Sequence, residues 1–158
     1  MKTALTTALV ALGLLVTAAA QPSLEAQSLG VATCAISTTA SISFGAYSVF
    51  NASPTDSTGT LSFVCTGVTG PLTISLTGIQ PDGNRTLKNG ADMLSYHVFA
   101  DAARSQPWGD GTFGAMVVIF PKPADGAVHT AVMYGRIFAR QDVSFGPYSD
   151  SFVAVVNF

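Results

Sequence analysis

The sequence predicts an all-β fold: an immunoglobulin-like β-sandwich with one disulfide. Three observations lead there. Short segments of alternating apolar and polar residues follow one another, with no sustained 3.6-residue apolar stripe capped at both ends. Tight-turn dipeptides stand between them: Asp82-Gly83, Asn89-Gly90, Asp110-Gly111 and Asp125-Gly126. The third observation is the final segment, Ser151 to Phe158. It places Phe152, Ala154, Val156 and Phe158 on one parity and Val153 and Val155 on the other. Apolar residues on both faces are expected of a strand inside a sheet, with a neighbour on each side. No residues follow to supply that neighbour, so an earlier strand or another chain is expected to cover it.

From the N-terminus, Met1 to Ala20 reads as a secretory signal peptide. Lys2 is its only charge, Leu9 to Val16 is apolar, and Ala18-Ala19-Ala20 offers a small-x-small cleavage site, with Ala26 as the alternative. The apolar run is too short to span ~30 Å of hydrocarbon, so no stable membrane insertion is expected after cleavage. Cleavage at Ala20 leaves about 138 residues, one domain of ordinary size. Residues 21–33 form an N-terminal extension, and 34–158 the sandwich. Seven basic residues face nine acidic ones, and no basic cluster points to nucleic acid.

The extension offers Leu24 and Ala26 on one parity and Leu29 and Val31 on the other, interrupted by Pro22, Glu25 and Gly30. A single straight strand cannot bury all four. Leu29 to Ser37 leads into the domain, and Ile42, Phe44 and Ala46 continue on one parity. Asn51 to Gly59 carries loop chemistry, with Pro, Asp, Ser and Gly crowded together. Leu61, Phe63 and Cys65 then alternate with polar or smaller neighbours, pointing Cys65 inward. Leu72, Ile74 and Leu76 repeat the pattern after Pro71. Leu94 to Ala100, Phe113 to Phe120 and Ala127 to Ala139 complete a set of six or seven strands. Asp92 to Arg104 is the nearest candidate for a helix, but Tyr96, Val98 and Phe99 favour a strand.

The two cysteines, Cys34 and Cys65, are expected to pair, because an exported chain meets an oxidising compartment. A metal site would need further ligands, and His97 and His129 sit in separate segments. No Cys-x-x-Cys redox motif is present. No Gly-x-Ser-x-Gly elbow appears, and the acidic residues mostly occupy turns, where Asp satisfies backbone amides. No catalytic residue, metal site or cofactor is therefore expected. Trp108-Gly-Asp-Gly111 suits a carbohydrate platform in one reading and, in the favoured one, a turn that tucks Trp108 against the sandwich rim.

Several stretches together carry a family resemblance. They are Cys34 with Phe44-Gly-Ala-Tyr47, Gly59-Thr-Leu-Ser-Phe-Val-Cys65, Arg85-Thr-Leu-Lys-Asn-Gly90 and Leu94 to Arg104. Trp108 to Gly111, Tyr134-Gly-Arg136 and Gly146 to Phe152 follow in order. In this order and spacing the chain resembles the spore coat protein U domain family, which includes subunits of archaic Csu-type chaperone–usher pili. The resemblance implies a sandwich lacking its last strand, with an apolar groove beside the C-terminal strand. It also implies assembly by β-strand addition, with a periplasmic chaperone, an outer-membrane usher and neighbouring subunits as partners. Phe152, Ala154, Val156 and Phe158 would line the groove or adjoining core. Leu24, Ala26, Leu29 and Val31 would belong to a donor strand. The expected course is export through the periplasm to a surface fimbrium serving adhesion and biofilm formation. The alternatives are a secreted spore-coat or envelope protein without a pilus and, more distantly, a carbohydrate-binding module.

Overall fold

A computed structural model of the protein describes residues 31–38 and 41–158. Among these, eight strands form: β1 (Thr33–Thr38), β2 (Thr55–Thr66), β3 (Leu72–Leu76), β4 (Arg85–Asn89), β5 (Asp92–Phe99), β6 (Val118–Phe120), β7 (Val128–Ile137) and β8 (Ala154–Asn157). They make two sheets, a five-stranded one ordered β1-β2-β7-β5-β4 and a three-stranded one ordered β6-β3-β8. Every pairing is antiparallel. The core lies between the sheets, as in an immunoglobulin-like sandwich. The expected signal peptide and Leu24, Ala26 and Leu29 of the expected donor segment lie outside the described residues. Val31 is described and is exposed, outside any strand.

Two-residue alternation builds that core. Leu61, Phe63 and Cys65 of β2 point inward, as do Ala131, Met133 and Ile137 of β7. Leu94, Tyr96 and Val98 of β5 continue the layer, and Leu72, Ile74 and Leu76 of β3 meet it from the smaller sheet. Asp92 to Phe99 is a strand, in line with its aromatic and β-branched content.

Four expectations need correction. Thr55 to Gly59, within the stretch read as loop, belongs to β2, where Thr55↔Ile137 through Gly59↔Met133 extend the ladder with β7. Tertiary pairing there overrides a turn-like composition. Phe113 to Phe120 shrinks to the short β6, because Phe113 (φ 51°) and Gly114 (φ 78°) turn the chain through the left-handed region. Ile42 to Ala46 forms no strand and instead covers the inner face of the large sheet. Finally, the second apolar face of the C-terminal strand is not buried, with Val153 62% and Val155 37% exposed.

Cys34 and Cys65 are joined, and they face each other directly in the β1–β2 register. Their Cα atoms are 4.1 Å apart, just below the usual range of about 4.4–6.8 Å, because the bridge links directly opposed residues of adjacent strands.

The covering segment depends on two glycines. A Cβ at Gly59 would lie 2.6 Å from the Ser41 carbonyl oxygen, and one at Gly135 would lie 2.6 Å from the Phe44 ring. Both strands are bare at these points so that residues 41–44 can lie against them. Gly59→Ala is expected to push a backbone carbonyl off the sheet and to destabilise the protein by about 1–3 kcal/mol, read from urea unfolding.

Candidate functional site: the free edge of the C-terminal strand

The smaller sheet ends at β8, which pairs with β3 through Thr73↔Asn157, Ile74↔Val156, Ser75↔Val155 and Leu76↔Ala154. The contact continues upstream, where the Thr77 amide donates to the Val153 carbonyl (2.9 Å) and the Val153 amide to Thr77 Oγ1 (3.0 Å). Residue 153 thus turns its amide and carbonyl toward β3. By the two-residue period, Ala154 and Val156 turn theirs the other way, as do Phe152 and Phe158 in extended conformation. Among the described residues no strand covers that side.

The same parity fixes the side chains. Phe152, Ala154 and Val156 pack against the core, whereas Phe158 is 55% exposed at the end. Three of the four residues assigned to the groove therefore combine an inward side chain with an outward main chain. This is an edge ready to accept a strand, since each added residue pair finds an open donor and acceptor.

Upstream of β8 the edge opens into a cavity of about 780 Å³. One wall is Ile42 to Phe50 and the other Val143 to Asp150, with Leu87, Leu94 and Ile137 at the base. Both walls are tied down. The Tyr47 hydroxyl donates to the Phe138 carbonyl and accepts from the Gln141 amide at 2.7 Å. The Gln141 side chain bonds both the amide and the carbonyl of Ser95, standing in for a strand residue beside β5. On the far wall, Ser149 and Lys88 exchange amide–carbonyl bonds of 2.8 and 3.1 Å, fixing the C-terminal segment to β4. A smaller cavity, lined by Ser41, Ile42, Phe44, Tyr96 and Phe152 among others, lies where this segment turns toward β8.

Polar groups cluster at that turn. The Tyr96 hydroxyl donates to Asp150 at 2.8 Å, and burial, followed by that carboxylate, pushes the phenol above its ordinary range. Arg85, 1% exposed, donates to the carbonyls of Leu76, Thr77 and Trp108. Burial lowers its pKa, but a guanidinium keeps its charge. Trp108 is 0% exposed and its indole N–H donates to Ile74, so it offers no face to a sugar.

The outer face of the large sheet carries a separate charged group. Arg136 grips Asp56 through two bonds of 2.7 and 2.8 Å, and Arg104 approaches the same carboxylate at 3.4 Å. The Arg136 bonds hold the Asp56 carboxyl below its usual range. Among the described residues, no group of three or more His, Cys, Asp and Glu could hold a metal, and no helix is long and apolar enough to cross a membrane.

His97 lies against Phe99 and Phe138, and its Nε2 is buried without a hydrogen-bond partner. Burial lowers its pKa. Below about pH 6.5 the unfolded chain therefore binds a proton that the folded chain resists, and stability falls as the medium is acidified. His97→Phe is expected to flatten the fall in urea midpoint between about pH 7 and pH 5.

An immunoglobulin-like sandwich whose smaller sheet ends in the uncovered edge of β8 is thus defined by fold and site. The chain belongs to the Spore Coat Protein U domain family, whose model matches residues 20–155. No curated protein matches it. Among solved structures, it resembles a chain in the crystal structure of the CsuC–CsuE chaperone–tip adhesion subunit pre-assembly complex, from the archaic chaperone–usher Csu pili of Acinetobacter baumannii. The TM-score is 0.55 at 20% identity, over 81% of this chain and 40% of that one. At this identity the likeness is one of fold.

Sequence reasoning found β8 through its alternation. It found neither β4 nor a role for Arg85, since the five residues Arg85–Asn89 carry a single apolar side chain, Leu87, and so no alternation. Of the cavity walls, Val143 to Asp150 gave no periodic signal, and the alternation of Ile42, Phe44 and Ala46 pointed to a strand where a covering segment lies.

Proposed function

We propose that this chain is an exported structural subunit of a chaperone–usher pilus, assembled by β-strand addition at the β8 edge. The observation that carries the reading is the coincidence, at Phe152, Ala154 and Val156, of core-facing side chains with open main-chain groups. A strand laid there would gain ladder hydrogen bonds and would bury apolar surface at roughly 25 cal/mol per Å². Residues 21–33 of a neighbouring copy, with Leu24, Ala26, Leu29 and Val31, are the proposed donor, and 34–158 the acceptor domain. A periplasmic chaperone would cover the edge in transit and an outer-membrane usher would exchange it for the donor. Surface attachment and biofilm formation are the proposed role of the fibre.

The family's name favours a second reading, a spore-coat or envelope protein that uses the same edge without a pilus. Adjacent genes for a periplasmic chaperone and an outer-membrane usher would separate the two. The central experiment is to isolate the exported chain with and without a co-produced chaperone. The chain alone is expected to self-associate into species that survive unheated detergent electrophoresis, and the chaperone to hold it as a one-to-one complex. A protease-resistant monomer that binds neither chaperone nor a synthetic Gln21–Thr33 peptide would exclude strand addition.

A further inference from the structure

The head of β8 is held by one cross-strand pair. Arg85 of β4 stands opposite Tyr96 of β5. The Tyr96 hydroxyl bonds Asp150, and the Arg85 guanidinium lies 4.9 Å from the centre of the Phe152 ring. Arg85 also donates to the Thr77 carbonyl, and Thr77 in turn holds Val153 through its amide and hydroxyl. Residues 150, 152 and 153, the approach to the open edge, are thereby gripped from a single point.

The chemistry of that grip is unusual for a core. Among the described residues no carboxylate lies within ion-pair distance of Arg85, and its buried charge is balanced by the carbonyls of Leu76, Thr77 and Trp108 and by the face of Phe152. An apolar side chain would fill the same space without desolvating a charge. Only a planar fork of donors reaches the end of β3, the Trp108 loop and the head of β8 together. We infer that Arg85 is a positioning residue for strand addition, fixing Phe152 and Val153 so that the β8 edge is set before a partner strand arrives.

The inference rests on the strand-addition reading, and one experiment separates the two. Arg85→Lys keeps the charge and loses the fork, whereas Phe152→Leu keeps the fork and loses the ring beneath it. The probe is a fluorescein-labelled Gln21–Thr33 peptide titrated into the exported chain and followed by anisotropy. Trp108 emission and disulfide content report the fold, and hydrogen exchange is followed at single amides. In Arg85→Lys the Thr77 and Val153 amides are expected to exchange about tenfold faster while those of Leu61 to Cys65 hold their rates. Peptide affinity should fall about tenfold. Phe152→Leu should weaken the peptide to a similar extent, and it carries the test should Arg85→Lys fail to fold.

Wild-type affinity for the peptide retained in both variants would overturn the positioning role alone. Acceleration of exchange spread evenly over both sheets would also overturn it, marking Arg85 as a general core residue. Failure of the wild-type chain to bind the peptide would remove the strand-addition reading itself, and this inference with it.

Discussion

Replacing Val156 and Phe158 together by aspartate is expected to abolish assembly. Val156 stands opposite Ile74 and packs on the core, while Phe158 closes the same row at the chain's end. A carboxylate at 156 enters partly buried apolar surroundings without a partner and costs several kcal/mol, enough to lower assembly more than about 100-fold. Asp at His129, which stacks on Phe63 and packs against Phe120 of β6 at the opposite end of the small sheet from β8, should lower assembly much less. Because the double variant also strains the fold, Val156→Pro gives the sharper test. The Val156 amide faces the open edge, so proline removes no bond to β3, and edge strands tolerate it. The expected result is a stability loss of about 1–2 kcal/mol with assembly lost. Wild-type levels of detergent-resistant oligomer in either variant would rule out β8 as the acceptor.

The second large effect concerns the bridge. Cys34→Ala with Cys65→Ala opens a loop of 31 residues' separation. It should destabilise the chain by about 3–4 kcal/mol on the chain-entropy argument. Urea unfolding with and without reductant measures it, and the double variant should match the reduced wild type. A difference below about 1 kcal/mol would mean that β1 is held by its ladder alone.

Much of this architecture was legible because β-sandwich cores are written with a period of two. Leu61, Phe63 and Cys65 announce an inward face, and the same rule found β3, β5, β7 and the C-terminal strand. The turn dipeptides were equally plain, with Gly83, Gly90, Gly111 and Gly126 all at positive φ. Position within a sheet was harder. Val153 and Val155 read as the second buried face of an inner strand, yet they are the outer face of an edge, and composition alone does not distinguish the two. Thr55 to Gly59 looked like loop because its residues favour turns, and only the ten-pair register with β7 makes it strand. The cavity walls were hidden for a different reason. Residues 41–50 and 143–150 owe their courses to Tyr47, Gln141 and the bare faces of Gly59 and Gly135, contacts between residues far apart in the chain.

The disulfide has a mechanical consequence. A pull applied to the chain ahead of Val31 enters the domain through β1, an edge strand that hydrogen bonds alone would let peel away one pair at a time. Cys34 is only the second residue of that strand, and it is bonded to Cys65 in β2. Tension therefore leaves β1 almost at once and passes covalently to β2, a strand flanked on both sides and paired with β7 along most of its length. The weakest-looking strand carries little of the load, and the domain meets traction with its broadest ladder.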